Sequence, residues 1–392
     1  MSVDSVEAAL VNAASYLRPG QALYPSMFEP DGITPAERLP WAVLEQLKQE
    51  IEATPETMTI ASQWFKGDAA ASLARVFVYR LFDKVQPRQI VADFLDFGER
   101  TALDILLYIG LFGGGIDQAI EFDEGLSVMP AALSPPSLIR ESIFGLNRFG
   151  RMVFQRDLGG SWKPNIALIL RDQRDFRESE NIDRFQSNSE RVERAIRALT
   201  LASGYAFVRS WQASWIDHPA IPYEGFGAWN ASGAFASMPF PRNATPVDAI
   251  CAREMYRKLG VLPPAVKEPI NLATDRLARS RIHGPSADSA LDLEIASEVI
   301  LLHGMGNNSE LRYRLSLRGA YLVSNDGHDR ETSFRVFQAL YDARSQVAHT
   351  GTLTAEAQNR IPEFDALCLK AIKAIVNSQK FPDWNRMTLG LS

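Results

Sequence analysis

The sequence predicts a mainly α fold, with a helical C-terminal domain over residues 246–392 preceded by a mixed α/β region over residues 1–245. Two observations carry this. From Val247 onward, apolar residues recur at helical spacing almost without a break, punctuated by capping and stop residues. Upstream, helical stretches alternate with short apolar runs bounded by Gly and Pro, the pattern of strands. A chain of 392 residues has room for two cores, and 46% apolar with 22% charged residues is an ordinary globular composition.

Taken in order, residues 1–38 read as an irregular start with one helix from about Val6 to Tyr16. Trp41, Leu44 and Leu47 at helical spacing predict a helix from Trp41 to Ala53. Thr57 to Phe65 reads as strand-like. Asp68 caps a helix that runs to Val85 and stops before Pro87. The apolar run Ala102 to Phe112 reads as a buried helix ended by Gly113-Gly114-Gly115, a triplet without the GK[ST] of a phosphate loop. Met152–Phe154 and Ile166–Leu170 are strand-like, and the charged run Arg171 to Ser187 reads as a solvated loop. Ser189 to Trp211 reads as a helix, with Ser187 and Glu190 forming a capping box.

The aromatic segment 212–245 is read either as a long packed loop or as a base-stacking surface. It lacks interleaved cations until Arg242, which favours packing. Helices then fit Asp248–Leu259, Val266–Arg281, Asp288–Leu302, Ser309–Val323, Asp329–His349 and Thr354–Ser378.

Composition narrows the function classes. A net charge of −6 argues against a broad basic face for long nucleic acid, and less against an enzyme that grips one phosphate with a few arginines. Cys251 and Cys368 have no CxxC spacing, so a disulfide framework is not expected and a reducing, cytoplasmic location is. The start Met1–Glu7 has neither the basic segment nor the apolar core of a signal peptide, and no run is long enough to span a bilayer. His218, His283, His303 and His328 form no ligand spacing, so neither metal nor cofactor is expected.

The stretch Arg344-Ser345-Gln346-Val347-Ala348-His349 closes the predicted helix before a Thr350-Gly351 stop. Histidine moves protons near neutral pH, and arginine holds phosphate and stabilises charge that develops on it. Together they suffice to cut RNA. The same pair also suits a helix C-terminus, where cations meet the negative end of the macrodipole. Residues five apart sit about 140° around a regular helix, so a site needs either an early helix end near Ala348 or partner groups from a second copy. Phe334, Phe337, Leu340, Tyr341 and Val347 mark the core stripe of this helix. Arg344 lies beside that stripe, and Glu294 or Glu298 is its expected partner, whether structural or catalytic.

The residues from Asp288 to Gly351 resemble the C-terminal part of the Apea-like branch of the HEPN superfamily. The matching blocks are Leu291–Glu298, Glu310–Leu315, Arg318-Gly319-Ala320 and Tyr341–Gly351, the last carrying arginine, four residues, then histidine. Many HEPN domains place Asn or Asp after the arginine; this chain has Ser345. The resemblance implies a helical bundle, a homodimer through the C-terminal domain, and a metal-independent endoribonuclease with RNA as substrate. In that scheme His349 acts as general base or acid and Arg344 stabilises the phosphorane, leaving 2′,3′-cyclic phosphate and 5′-hydroxyl ends. Ser345 and Tyr341 would support them, and Arg312, Arg314 and Arg318 would line the RNA path. It further implies an antiviral defence or toxin role, with a phage-derived or nucleotide activator and a regulatory N-terminal region. The alternative is a non-catalytic HEPN module that binds nucleotide or protein and dimerises.

Overall fold

A computed structural model of the chain describes residues 3–17, 39–65, 67–82, 84–100, 102–134, 165–175, 182–216, 218–220, 225–228, 245–305 and 310–389. Among these residues the fold is mainly helical, with a small antiparallel sheet. The strands are β1 (Ala102–Phe112), β2 (Ile120–Asp123), β3 (Leu126–Pro130), β4 (Ile166–Asp175), β5 (Val208–Ile216) and β6 (Gly225–Ala228). No helix among the described residues is long and apolar enough to cross a membrane. The chain divides into two compact units. One comprises Met1–Gly110, Ala131–Ile182 and Ser210–Ala231; the other comprises Leu111–Pro130, Asp183–Arg209 and Ser232–Ser392.

The first unit begins with five helices: α1 (Val3–Tyr16), α2 (Trp41–Glu52), α3 (Pro55–Trp64), α4 (Ala69–Phe82) and α5 (Pro87–Glu99). Prolines start two of them, since Pro55 and Pro87 stand in the first turn, where no N–H is needed. Thr57–Phe65 is therefore helix rather than strand, and Pro87 opens α5 as well as following α4. Leu10, Leu47, Leu73, Phe77, Ile90 and Phe94 fill the core between the helices, with the Phe77 and Phe94 rings meeting edge to face at 5.4 Å. Arg80 enters this core paired with Asp93 at 2.7 Å, as a buried cation must be.

Beside the helices the strands of this unit run in the order β4-β1-β5-β6, with β5 and β6 antiparallel, Gln212 opposite Ala228 and Trp215 opposite Gly225. Ala102–Phe112 is thus a strand, not a buried helix. Its residues from Tyr108 to Phe112 are buried in succession, which erases the alternation that marks a strand with one wet face. The charged run after Ile166 is no loop at its start, because Arg171 to Asp175 continue β4 and Arg171 reaches Asp104 of β1 at 3.5 Å. Met152–Phe154, and Tyr223, Trp229, Phe235 and Phe240 of the aromatic segment, lie outside the described residues.

The second unit holds α6 (Ile182–Ala202), α7 (Ala249–Gly260), α8 (Pro264–His283), α9 (Ala287–Leu301), α10 (Leu311–Val323), α11 (Gly327–Thr350), α12 (Ala355–Asn359), α13 (Ile361–Ser378) and α14 (Trp384–Thr388). It also contains the β2–β3 hairpin, with Ile120 opposite Val128. Helix α6 starts upstream of the expected capping box, so Ser187 and Glu190 lie inside it, and it ends at Ala202 rather than Trp211. The C-terminal helices match the sequence reading within three residues at each start and end, except that Arg360 and Pro362 split the last long one into α12 and α13. Asp248, Ser286 and Asp326 cap α7, α9 and α11 by accepting backbone N–H bonds.

The triple glycine follows β1 and allows close approach. A Cβ on Gly113 would lie 2.5 Å from the Phe207 ring, and one on Gly114 would lie 2.3 Å from the Tyr205 ring. Gly319 of α10 plays the same part against α11, where a Cβ would meet the Phe337 ring at 2.5 Å.

One arginine ties three segments of this unit. Arg281 of α8, 7% exposed, donates from Nε and Nη2 to both oxygens of Asp365 on α13 at 2.8 and 3.0 Å. Its Nη1 donates to the carbonyls of Thr200, Ser203 and Tyr205 at 2.8, 3.1 and 3.1 Å, closing the C-terminus of α6. Arg281→Ala strands a partly buried carboxylate and three carbonyls, and is expected to cost about 2–4 kcal/mol in urea unfolding. Gly319→Ala overpacks the α10–α11 contact and is expected to cost about 1–3 kcal/mol in the same measurement. A midpoint unchanged by either substitution would contradict these packing assignments.

Candidate active site on helix α11

Helix α11 is regular from Gly327 to Thr350 and ends where Gly351 takes a left-handed conformation, φ 70°. Gly351 donates its N–H to the Val347 carbonyl at 2.8 Å, as this type of cap requires. The helix does not end early, so the reading in which it stops near Ala348 and frees His349 is corrected. Within one copy, Arg344 and His349 stay about 140° apart around the axis. Phe337, Leu340 and Val347 of the expected core stripe are buried, while Phe334 and Tyr341 are half-buried at its edge.

Arg344 is half-exposed, and its Nε lies 3.7 Å from Glu294 Oε2 on α9. The Glu294 side chain is wholly buried, and no N–H or hydroxyl of the described residues donates to either of its oxygens. Burial pushes its carboxyl up to about 8; the charge of Glu298, one turn further along α9, adds to the rise and Arg344 opposes it. Desolvation is the largest cause of the shift, followed by the charge of Glu298 and a hydrogen bond between the two carboxyls, which needs a proton on one of them. Burial thus shifts Glu294 towards its neutral form, so it offsets the charge of Arg344 less than an ordinary carboxylate would.

His349 is exposed one turn beyond Ser345, which is half-buried, as is Tyr341 one turn before it. The structure thus places Tyr341, Ser345 and His349 along one side of α11, sets Glu294 against Arg344, and leaves Arg344 about 140° around the axis from His349. Two of the three arginines expected to line an RNA path are engaged elsewhere. Arg312 makes a two-pronged bond to Asp342 of α11 at 2.7 and 2.6 Å. Arg318 donates to the Leu301 carbonyl at 2.8 Å and stacks over Trp384 at 5.0 Å; burial, with Arg314 nearby, lowers its guanidinium from the usual value. Arg314 is half-exposed, and among the described residues its ion-pair partner is Glu310 at 3.9 Å.

Sequence reasoning missed Asp342 and Trp384, whose partners come from other helices. It also missed Ser297 and Cys368, which meet at 3.0 Å next to Glu294 in the same buried layer. Burial pushes the Cys368 thiol up to about 12, so it is inert. Among the described residues no group of three or more His, Cys, Asp or Glu side chains is placed to hold a metal ion. Comparison with protein-family models, with curated proteins and with solved structures finds no match to this chain.

Glu294 sets a pH dependence of stability whose sign is fixed. The unfolded carboxyl ionises near 4.5 and the folded one near 8, so between these values the folded state binds more protons. Stability therefore falls as pH rises from 4.5 to 8, by at most about 1.4 kcal/mol per pH unit from this group. Glu294→Gln removes that slope and raises the melting temperature at pH 8 more than at pH 5. Equal effects at both pH values would mean that Glu294 titrates normally.

Proposed function

We propose that this protein is a metal-independent endoribonuclease of HEPN type, working as a homodimer. The observation that carries the reading is Arg344: half-exposed on a rigid helix, it has as its one ion-pair partner among the described residues a buried carboxyl at 3.7 Å that desolvation pushes towards its neutral form, which leaves the guanidinium able to meet a scissile phosphate. His349 is exposed on the same helix and free to exchange protons with a 2′-hydroxyl or a leaving 5′-oxygen. The resemblance of residues 288–351 to the Apea-like HEPN branch supports the same assignment, including the bundle and the dimer.

The regular helix makes the dimer part of the chemistry. Arg344 and His349 of one copy face different ways, so Arg344 of one copy and His349 of the other form each cleft. Attack by the 2′-oxygen on the adjacent phosphorus forms a new P–O bond while the P–O5′ bond breaks. His349 takes the 2′ proton, or gives one to the departing 5′-oxygen, and Arg344 holds the charge on the phosphorane. The products are a 2′,3′-cyclic phosphate and a 5′-hydroxyl. Ser345 and Tyr341 position these groups, and Arg314 is the remaining cation for an RNA path. A defence role in the cytoplasm, held in check until a phage-derived or nucleotide signal arrives, completes the proposal.

The second reading, a non-catalytic module that binds nucleotide or protein and dimerises, is favoured by the internal engagement of Arg312 and Arg318 and by the net charge of −6. RNA cleavage in EDTA separates the two. Wild type should leave cyclic-phosphate ends, and His349→Ala should slow cleavage by about 100- to 10,000-fold with the dimer intact. Arg344→Ala should cost about 100- to 1,000-fold. Mixed dimers of the two variants contain one whole cleft and should recover up to half the wild-type rate. Cleavage that survives both substitutions, or mixed dimers as inactive as their parents, would sink the composite site.

A further inference from the structure

A cavity of about 320 Å³ opens between α6, α7 and α8 of the second unit, and none of its walls comes from α11. That volume is at the small end of ligand pockets. Three cations and three carboxylates line it, and four of the six are matched. Arg197 holds both oxygens of Asp275 at 2.8 and 3.0 Å, Glu193 accepts from Arg209 at 2.5 Å, and Lys267 pairs with Glu190 at 2.9 Å. Two charges remain: Arg194 on α6 and Glu268 on α8 have no oppositely charged side chain within ion-pair distance among the described residues.

Arg194 is nonetheless fixed in place. Its Nη2 donates to the Tyr256 hydroxyl at 2.8 Å, and its guanidinium lies 4.2 Å over the Tyr256 ring. Tyr256 in turn donates to Asp123. The guanidinium tip passes over Gly260, where a Cβ would come within 2.4 Å of Nη1. Arg194 Nε is buried and closed to the cavity, so the donors left for a ligand are those of Nη1, for which the described residues supply no acceptor. A guanidinium held this firmly, with donor capacity unspent at a cavity wall, fits a carboxylate.

The opposite charge left at the rim decides between ligand classes. A simple anion would satisfy Arg194 but leave Glu268, whose charge otherwise acts on Arg197, without a counter-charge of its own. A molecule with one charge of each sign at its two ends meets both groups. We propose that this cavity binds a small amino-acid-type zwitterion with its ammonium at the end of a carbon chain, as in 6-aminohexanoate or lysine. Its carboxylate sits on Arg194, its ammonium on Glu268, and its stem on Leu259, with Asn271 as a further hydrogen-bonding group.

Calorimetric titration and thermal shift of the full chain test this, with a readout that does not depend on RNA cleavage. 6-Aminohexanoate or L-lysine should bind wild type, and hexanoate and hexylamine should each bind at least ten-fold more weakly. Arg194→Gln and Glu268→Gln should each weaken the zwitterion at least ten-fold, and Gly260→Ala should weaken it by displacing Arg194. Glu268 is exposed, so its variant folds whether or not the Arg194 variant does. No heat and no shift with either zwitterion would overturn the proposal. So would hexanoate binding as tightly as 6-aminohexanoate, or undiminished binding by Glu268→Gln.

Discussion

Helix α9 sets the terms for the second unit. It packs against α8, α10, α11 and α13, and its residues from Ser289 to Leu301 are buried on more than one side. A helix enclosed in this way carries no polar stripe to face water, and every polar side chain on it must find a partner inside or bear the cost of having none. Ser297 solves this locally, bonding the Leu293 carbonyl at 3.0 Å. Asp292 accepts from Arg276 of α8 at 2.9 Å, with Arg279 and His283 at 4.0 and 3.9 Å. Glu294 has Arg344 only at 3.7 Å, and burial pushes its carboxyl towards the neutral form.

That shift reaches α11. A charged Glu294 would hold Arg344 as a structural cation, a counterpart to Asp365 with Arg281. A neutral Glu294 leaves Arg344 near the surface with its charge largely uncommitted, at a cost in stability that the surrounding apolar layer of Leu293, Phe337 and Phe364 must offset. Folding economy alone would replace Glu294 with an apolar side chain. A fully buried carboxyl to which no N–H or hydroxyl of the described residues donates is the kind of local conflict expected where function outweighs stability.

How far the sequence announced this depends on the range of the interaction. The C-terminal helices were legible because caps, stops and a 3.6-residue period are local: Asp248, Ser286 and Gly351 stand where the helices start and stop. The approach of Glu294 to Arg344 was also readable, from the position of Arg344 beside an apolar stripe. What failed were apolar runs whose state depends on surroundings. Ala102–Phe112 carries the same Leu and Ile content as a buried helix, and only its neighbours β4 and β5 make it a strand. Thr57–Phe65 was misread against a local signal that was present, Pro55 followed by Glu56. Arg312 with Asp342 and Arg318 with Trp384 could not be foreseen, because they join helices whose relative placement no sequence period encodes.

The fate of the arginines bears on what kind of nuclease this chain could be. In the second unit several guanidinium groups are committed within the fold: Arg281 to Asp365 and three carbonyls, Arg276 to Asp292, Arg318 to a helix end and a ring, and Arg312, at the surface, to Asp342. With a net charge of −6, little remains to attract RNA over a distance or to track its backbone. A nuclease with so few uncommitted cations would draw its selectivity from the shape of a narrow composite cleft and from the nucleotide at the scissile bond, rather than from broad electrostatic capture. The same scarcity makes Arg344 matter more, because the phosphate it would meet has few other cations to turn to.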